Sequence, residues 1–163
     1  MCGTMPVSSV QFAIATHILV ALAFCGEQGA NSARLADSVN TGVTFIRKSV
    51  SALAKAGLVK TTRGRHGTTR LAVPATRITL RDVSLALGYP SVALSHQYAV
   101  CPLCPVSVNL RGSLRHVEAA LGAAIMETLS HTTIAQLAAD VRRQAAIESR
   151  RGASRPGGFC RPH

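Results

Sequence analysis

Apolar residues recur at helical spacing over three stretches near the start of the chain. From Ser9 to Cys25 the repeat is Val10, Ala13, Ile14, Ile18, Ala21, Leu22 and Cys25, which predicts a helix with one broad buried face. Gly26 ends it. Asn31 and Ser32 can then accept hydrogen bonds from free backbone N–H groups, capping a short helix that carries Leu35, Ala36 and Val39. Asn40-Thr41-Gly42 makes the next turn. In the third helix Val43, Ile46, Val50 and Leu53 must face the core, leaving Thr44, Arg47, Lys48, Ser51 and Lys55 on other faces. After Gly57, the Thr- and Val-rich segment Leu58–Pro74 predicts strand, a glycine-bounded basic turn, and strand.

Thr79 and Asp82 have capping-box spacing and start a short helix through Val83, Leu85 and Leu87. Gly88 to Cys104 holds Pro90, Pro102 and apolar residues without a period, and reads as a connecting loop. From Pro105 to Leu129 the stripe Val106, Leu110, Leu114, Val117, Leu121, Ile125 and Thr128 or Leu129 predicts a helix of about six or seven turns. So long a stripe on a small protein calls for a partner, and the obvious one is a second copy of the same helix. Thr133, Ile134, Leu137, Ala138 and Val141 suggest one more short helix, followed beyond Arg143 by a mobile basic tail.

The fold class expected is therefore mainly α with a small β-wing: a winged helix-turn-helix domain at 8–87, a sensing or connecting loop at 88–104, dimerisation helices at 105–145 and a flexible basic tail at 146–163. At 163 residues and 47% hydrophobic composition the chain can bury a core. Its net charge of +11 fits nucleic acid, an anionic membrane surface or a basic tail, so location decides. Between Asn31 and Arg81 there are ten Lys/Arg and one acid, Asp37. The excess thus lies in the winged segment, and double-stranded DNA is the expected partner. The apolar run Phe12–Phe24 lacks a preceding Lys or Arg and carries His17, unlike a signal peptide. It is also short of the roughly 20 residues that span a bilayer. A cytoplasmic protein without a membrane partner is expected. Five cysteines, an odd number, fit reduced thiols or redox chemistry better than a secreted disulfide framework.

For base and phosphate contacts Thr41, Thr44, Arg47 and Lys48 stand at the start of the reading helix. Arg47 could equally serve an internal contact. Arg65 and His66, between Gly64 and Gly67 at the wing tip, suit a narrow minor groove. Lys60, Arg63 and Arg70 suit phosphates, which position a protein without specifying sequence.

Several short motifs in order carry a family likeness across Val10–Val141. They are Ala36, Ile46-Arg47-Lys48 with Leu53, Lys55-Ala-Gly-Leu-Val59, Arg63-Gly64 with Gly67, Arg70-Leu71, Ile78-Thr79-Leu80 with Asp82-Val83, Cys104-Pro105-Val106 and Thr133-Ile134-Ala-Gln-Leu137. In these the chain resembles the Rrf-two family of bacterial transcriptional regulators, whose members include sensors of the IscR and NsrR type. The resemblance implies a homodimer with two winged domains, the long helix crossing its twin, and a sensing loop just before that helix. Two departures stand out. The wing has Gly67-Thr68 where the family commonly pairs glycines. Family members that bind an iron–sulfur cluster carry three cysteines in the loop, and this chain has only Cys101 and Cys104, so a member without a cofactor is expected.

Pro102 in Cys101-Pro-Leu-Cys104 suits a β-turn that brings the two Cα atoms within about 7 Å, near disulfide range. Pro105 suits the first position of the long helix and makes Cys104 its N-cap. Free N–H groups and the helix dipole there stabilise a thiolate. Three readings stay open: small buried apolar residues, a thiol redox switch with Cys104 reactive and Cys101 resolving, or metal or iron–sulfur ligation with donors added from His96, His116 or a twin subunit. Cys25 reads as core, and His17, His116 and His131 as isolated packing or surface residues. No catalytic triad, carboxylate pair or phosphate loop is present. The function expected is a dimeric, operator-binding regulator, a repressor rather than an enzyme, with a redox switch at Cys101 and Cys104. The alternatives are the same fold controlled by a cluster or small ligand, a constitutive regulator, and a thiol oxidoreductase, which normally needs a βαβ unit absent here.

Overall fold

The computed structural model describes residues 9–62, 67–88 and 99–150. Six helices and one two-stranded sheet appear in the order α1 (Ser9–Cys25), α2 (Ser32–Val39), α3 (Val43–Lys55), β1 (Val59–Thr61), β2 (Thr69–Leu71), α4 (Leu80–Ala86), α5 (Pro105–Ser130) and α6 (Ile134–Arg150). Single 3-10 turns at Gly26–Gln28 and Ala75–Arg77 join them.

α1 is the axle of the molecule. It touches α2, α3, α4, α6 and β2, so its apolar residues are buried on more sides than one face. Ala15 and Leu19 are fully buried beside Ile18, Ala21, Leu22 and Cys25. Val10 and Ala13, expected on the buried face, are exposed. Together with the following 3-10 turn, Val10–Gln28 is long and apolar enough by composition to cross a membrane, longer than the run read from sequence. About a third of that window is buried in the core, where Leu35, Ile46, Leu53, Val59, Ile78 and Val83 close around it.

Local chemistry sets the boundaries. The Asn31 side chain accepts a hydrogen bond from the Arg34 N–H at 2.9 Å, and Asn40, in the left-handed region at φ 56°, closes α2. At α4 the box forms in both directions. Thr79 Oγ1 accepts from the Asp82 N–H at 3.2 Å, and Asp82 Oδ2 accepts from the Thr79 N–H at 2.8 Å. α6 begins with a second box, in which Gln136 Oε1 accepts from the Thr133 N–H at 2.7 Å and Thr133 Oγ1 accepts from the Gln136 N–H at 3.2 Å.

These two caps are tied to each other. Thr79 and Thr133 form an antiparallel bridge, with Leu80 N–H on the Thr132 carbonyl and Ile134 N–H on the Ile78 carbonyl, both at 2.9 Å. α6 is thereby returned to the first domain. It packs along α1, contributes Ile134 and Ala138 to the core, and is anchored where Arg142 stacks 4.6 Å from the Phe24 ring centroid and donates to the Ala23 carbonyl. The sequence suggested a short helix grouped with the dimerisation segment. The observed helix instead runs to Arg150, through Gln144, Ala145, Ala146 and Glu148, because no helix breaker intervenes. Residues 151–163 of the expected tail lie outside the described residues.

α5 contrasts with all of this. Its only buried residue is Gly122, and Val106, Leu110, Val117, Leu121 and Ile125 stay between 36% and 65% exposed.

Candidate nucleic-acid interface and loop thiols

α3 is held by Ile46, Val50 and Leu53 in the core, which fixes the rotation of its other faces. Gly57, at φ 74°, ends the helix, and the Leu58 N–H returns to the Leu53 carbonyl at 2.9 Å. The chain is thereby turned directly into β1. β1 and β2 pair antiparallel with Val59 opposite Leu71, Lys60 opposite Arg70 and Thr61 opposite Thr69. Val59 and Thr69 are buried, and the wing is tied to the helices by a further bridge between Ala30 and Thr69, with backbone hydrogen bonds of 2.8 and 2.9 Å.

Between α3 and the wing lies an open groove of about 750 Å³, lined by Asn31, Ser32, Val43, Arg47, Ser51, Thr61, Thr62 and Thr68 among others. Arg47 is exposed in it and has no hydrogen-bond or ion-pair partner among the described residues. An internal contact is therefore not what holds Arg47 there. Thr44 is exposed on the first turn of α3, whereas Thr41 sits half-buried in the preceding turn, its N–H on the Ala36 carbonyl at 3.0 Å. Lys48 diverges from Arg47. It faces recesses shared with α1 and the end of α4, beside Ala52 and Leu87. Lys60 and Arg70 stand directly across the sheet, a like-charge pairing that destabilises a ladder unless an anion lies over it. Arg63, Arg65 and His66 lie outside the described residues.

Phe45, not among the residues expected to act, is 58% exposed on the first turn of α3. The spacing that assigns Ile46 and Leu53 to the core already sets Phe45 off it. Asn31 and Ser32, expected only as capping residues, also line the groove wall.

The loop thiols form the expected turn, with the Cys104 N–H on the Cys101 carbonyl at 3.2 Å. Cys104 is the N-cap of α5, and Pro105 opens the helix. The Cys101 N–H donates to Ser107 Oγ at 2.9 Å, pinning the turn to the first turn of α5. Both thiols are free, Cys101 exposed and Cys104 half-buried. Cys25 is buried as expected but disulfide-bonded, which corrects the reading of reduced thiols at that position. Among the described residues no three His, Cys, Asp or Glu side chains gather into a metal-binding group. His17 bonds Ser38 at 2.9 Å. Its surface is partly open, yet the groove between α1 and α6 desolvates the ring and lowers its pKa.

A reading helix and a cationic two-stranded wing on one helical core define a winged helix-turn-helix protein. The model of the Rrf2 family, described as an iron-dependent transcriptional regulator, matches residues 8–140, and the chain belongs to that family of DNA-binding regulators, which act inside the cell on DNA. It is 34% identical over 107 residues to protein aau3 of Rhizobium meliloti, covering 61% of this chain and 69% of that one. CymR (YrzC), the global cysteine regulator of B. subtilis, superposes with a TM-score of 0.59 at 25% identity, over 83% of this chain and 98% of CymR. IscR of T. potens gives 0.59 at 22% identity over 85% and 89% of the two chains. A Lactobacillus plantarum structure of a transcriptional-regulator candidate gives 0.71 at 20% over 89% and 98%, a likeness of fold that includes the long helix.

Proposed function

We propose that this regulator is a cytoplasmic, sequence-specific repressor that binds its operator as a homodimer, through Thr41, Thr44, Arg47 and Lys48 on the reading helix and Lys60, Arg63, Arg65, His66 and Arg70 on the wing. The observation that carries the reading is the groove between α3 and the wing, with Arg47 partnerless on one wall and the Lys60/Arg70 pair on the adjoining strands. Opposed cations held at fixed strand spacing match adjacent phosphates. The exposed stripe of α5 supports pairing with its twin, since an apolar helix face of this length is stable in water only when covered.

Cys101 and Cys104 support a thiol switch. One thiolate attacks a hydroperoxide, releasing water or an alcohol and leaving a sulfenic acid. The second thiol then displaces water to form the disulfide, so two thiols lose two electrons and two protons to the peroxide. The bond would close the turn at the N-cap of α5 and alter how the helix begins. The family's description raises iron as an alternative signal. The described residues supply two thiols to such a site and no third donor, so a cluster would need donors from elsewhere, and no step is routed through one.

The test is electrophoretic mobility shift with operator-sized duplexes, reduced and after peroxide. Oxidation should release DNA from the wild type and not from Cys104→Ser. Absence of any retarded duplex at low salt would end the DNA-reading assignment. Equal response of both proteins to peroxide would end the thiol switch. Visible absorbance and bound iron after anaerobic purification would favour the cluster instead.

A further inference from the structure

Phe45 is the only aromatic residue of α3, and it lies in the first turn, between exposed Thr44 and the cations Arg47 and Lys48. Ile46, the next residue, is fully buried, so Phe45 is turned about 100° away from the core. Its ring lines a shallow recess together with Ile14 of α1 and Leu87 after α4. The residue is 58% exposed.

Single exposed apolar side chains are common on protein surfaces. Phe45, however, occupies the part of a reading helix whose side chains reach base edges. In the major groove the only apolar feature of a base pair is the C5-methyl of thymine, and phenylalanine is among the side chains that contact it. Cytosine carries only a C5–H at that position, so the ring would lose the methyl contact there.

We propose that Phe45 is a specificity-determining residue that packs on the C5-methyl group of a thymine in each operator half-site. This rests on the DNA-reading assignment above.

The experiment selects a duplex with the purified full-length protein from a random pool, then replaces each thymine singly by deoxyuridine, which removes only the methyl group. One replacement per half-site should weaken wild-type binding about fourfold, the value of one buried methyl group. Phe45→Ala should bind the thymine and deoxyuridine duplexes equally, and Phe45→Leu should keep part of the difference, which also serves as the readout if Phe45→Ala binds too weakly to measure. No methyl-sensitive position, or the same sensitivity in wild type and variants, overturns the proposal while leaving DNA reading intact. Failure to enrich any duplex overturns both.

Discussion

Gly29 has φ 63° and ψ −167°, a region open essentially to glycine alone. A Cβ there would fall on the Thr69 carbonyl oxygen, the acceptor for the Ala30 N–H that ties the wing to the helices. Gly29→Ala should therefore cost about 2–3 kcal/mol, combining backbone strain with a displaced hydrogen bond. Gly26, at φ 56°, faces open space, and Gly26→Ala should cost only about 1 kcal/mol. Urea midpoints of the two variants test the ranking, and equal losses would remove the Thr69 contact as the cause. His17 gives a second prediction at this scale. Its pKa is below the ordinary 6.5 because burial penalises the charged ring, so the unfolded chain takes up the proton first as pH falls. Stability associated with His17 is complete above about pH 6.5 and declines below it. His17→Gln should flatten that part of the urea midpoint against pH. Neither residue could be weighed from sequence: Gly29 looks like any turn glycine until Thr69 is beside it, and the environment of His17 depends on α2 and α6.

Among the elements, those defined by local chemistry were the ones legible beforehand. The Thr79/Asp82 box, the stops at Gly26 and Gly57, and Pro105 opening α5 all follow from capping and backbone rules that act within a few residues. What could not be read was the partner of each face. α6 has Ile134 and Ala138 in the core of the first domain because the Thr79–Thr133 bridge brings it back across some fifty residues of chain, and no local pattern encodes that return. The same limit explains why Arg47 and Lys48, neighbours in sequence, line different recesses, Arg47 the groove toward the wing and Lys48 those toward α1 and the end of α4. α5 offers the test at this scale. Leu121 is 41% exposed, so a charge there should leave a single chain folded and break the proposed pairing of two. Leu121→Glu is expected to sediment as a monomer with the far-ultraviolet helical signal largely retained. A dimer of unchanged affinity would move the interface off α5.

At the scale of the whole molecule, net charge is a weak guide until it is placed. Of the +11 formal charge, the part that can act on DNA together is that on α3 and the wing, where Lys60 and Arg70 are opposed and Arg47 is unpaired. If Arg47, Lys48, Lys60 and Arg70 of both heads of the proposed dimer neutralise phosphates, about eight counterions leave on binding, and log affinity should fall against log salt with a slope near −7. A double change of Lys60 and Arg70 to Ala removes roughly four of those contacts from a dimer, so the slope should flatten to about −4. Discrimination between operator and unrelated duplex should stay unchanged, because phosphate contacts carry no sequence information. Arg47→Ala separates the two roles: loss of discrimination at one base pair would make Arg47 a base reader, whereas a uniform loss with a flatter slope would make it one more phosphate contact. A wild-type slope near zero would mean that the cations of α3 and the wing face solvent in the complex, and the reading surface would then have to lie elsewhere on the molecule.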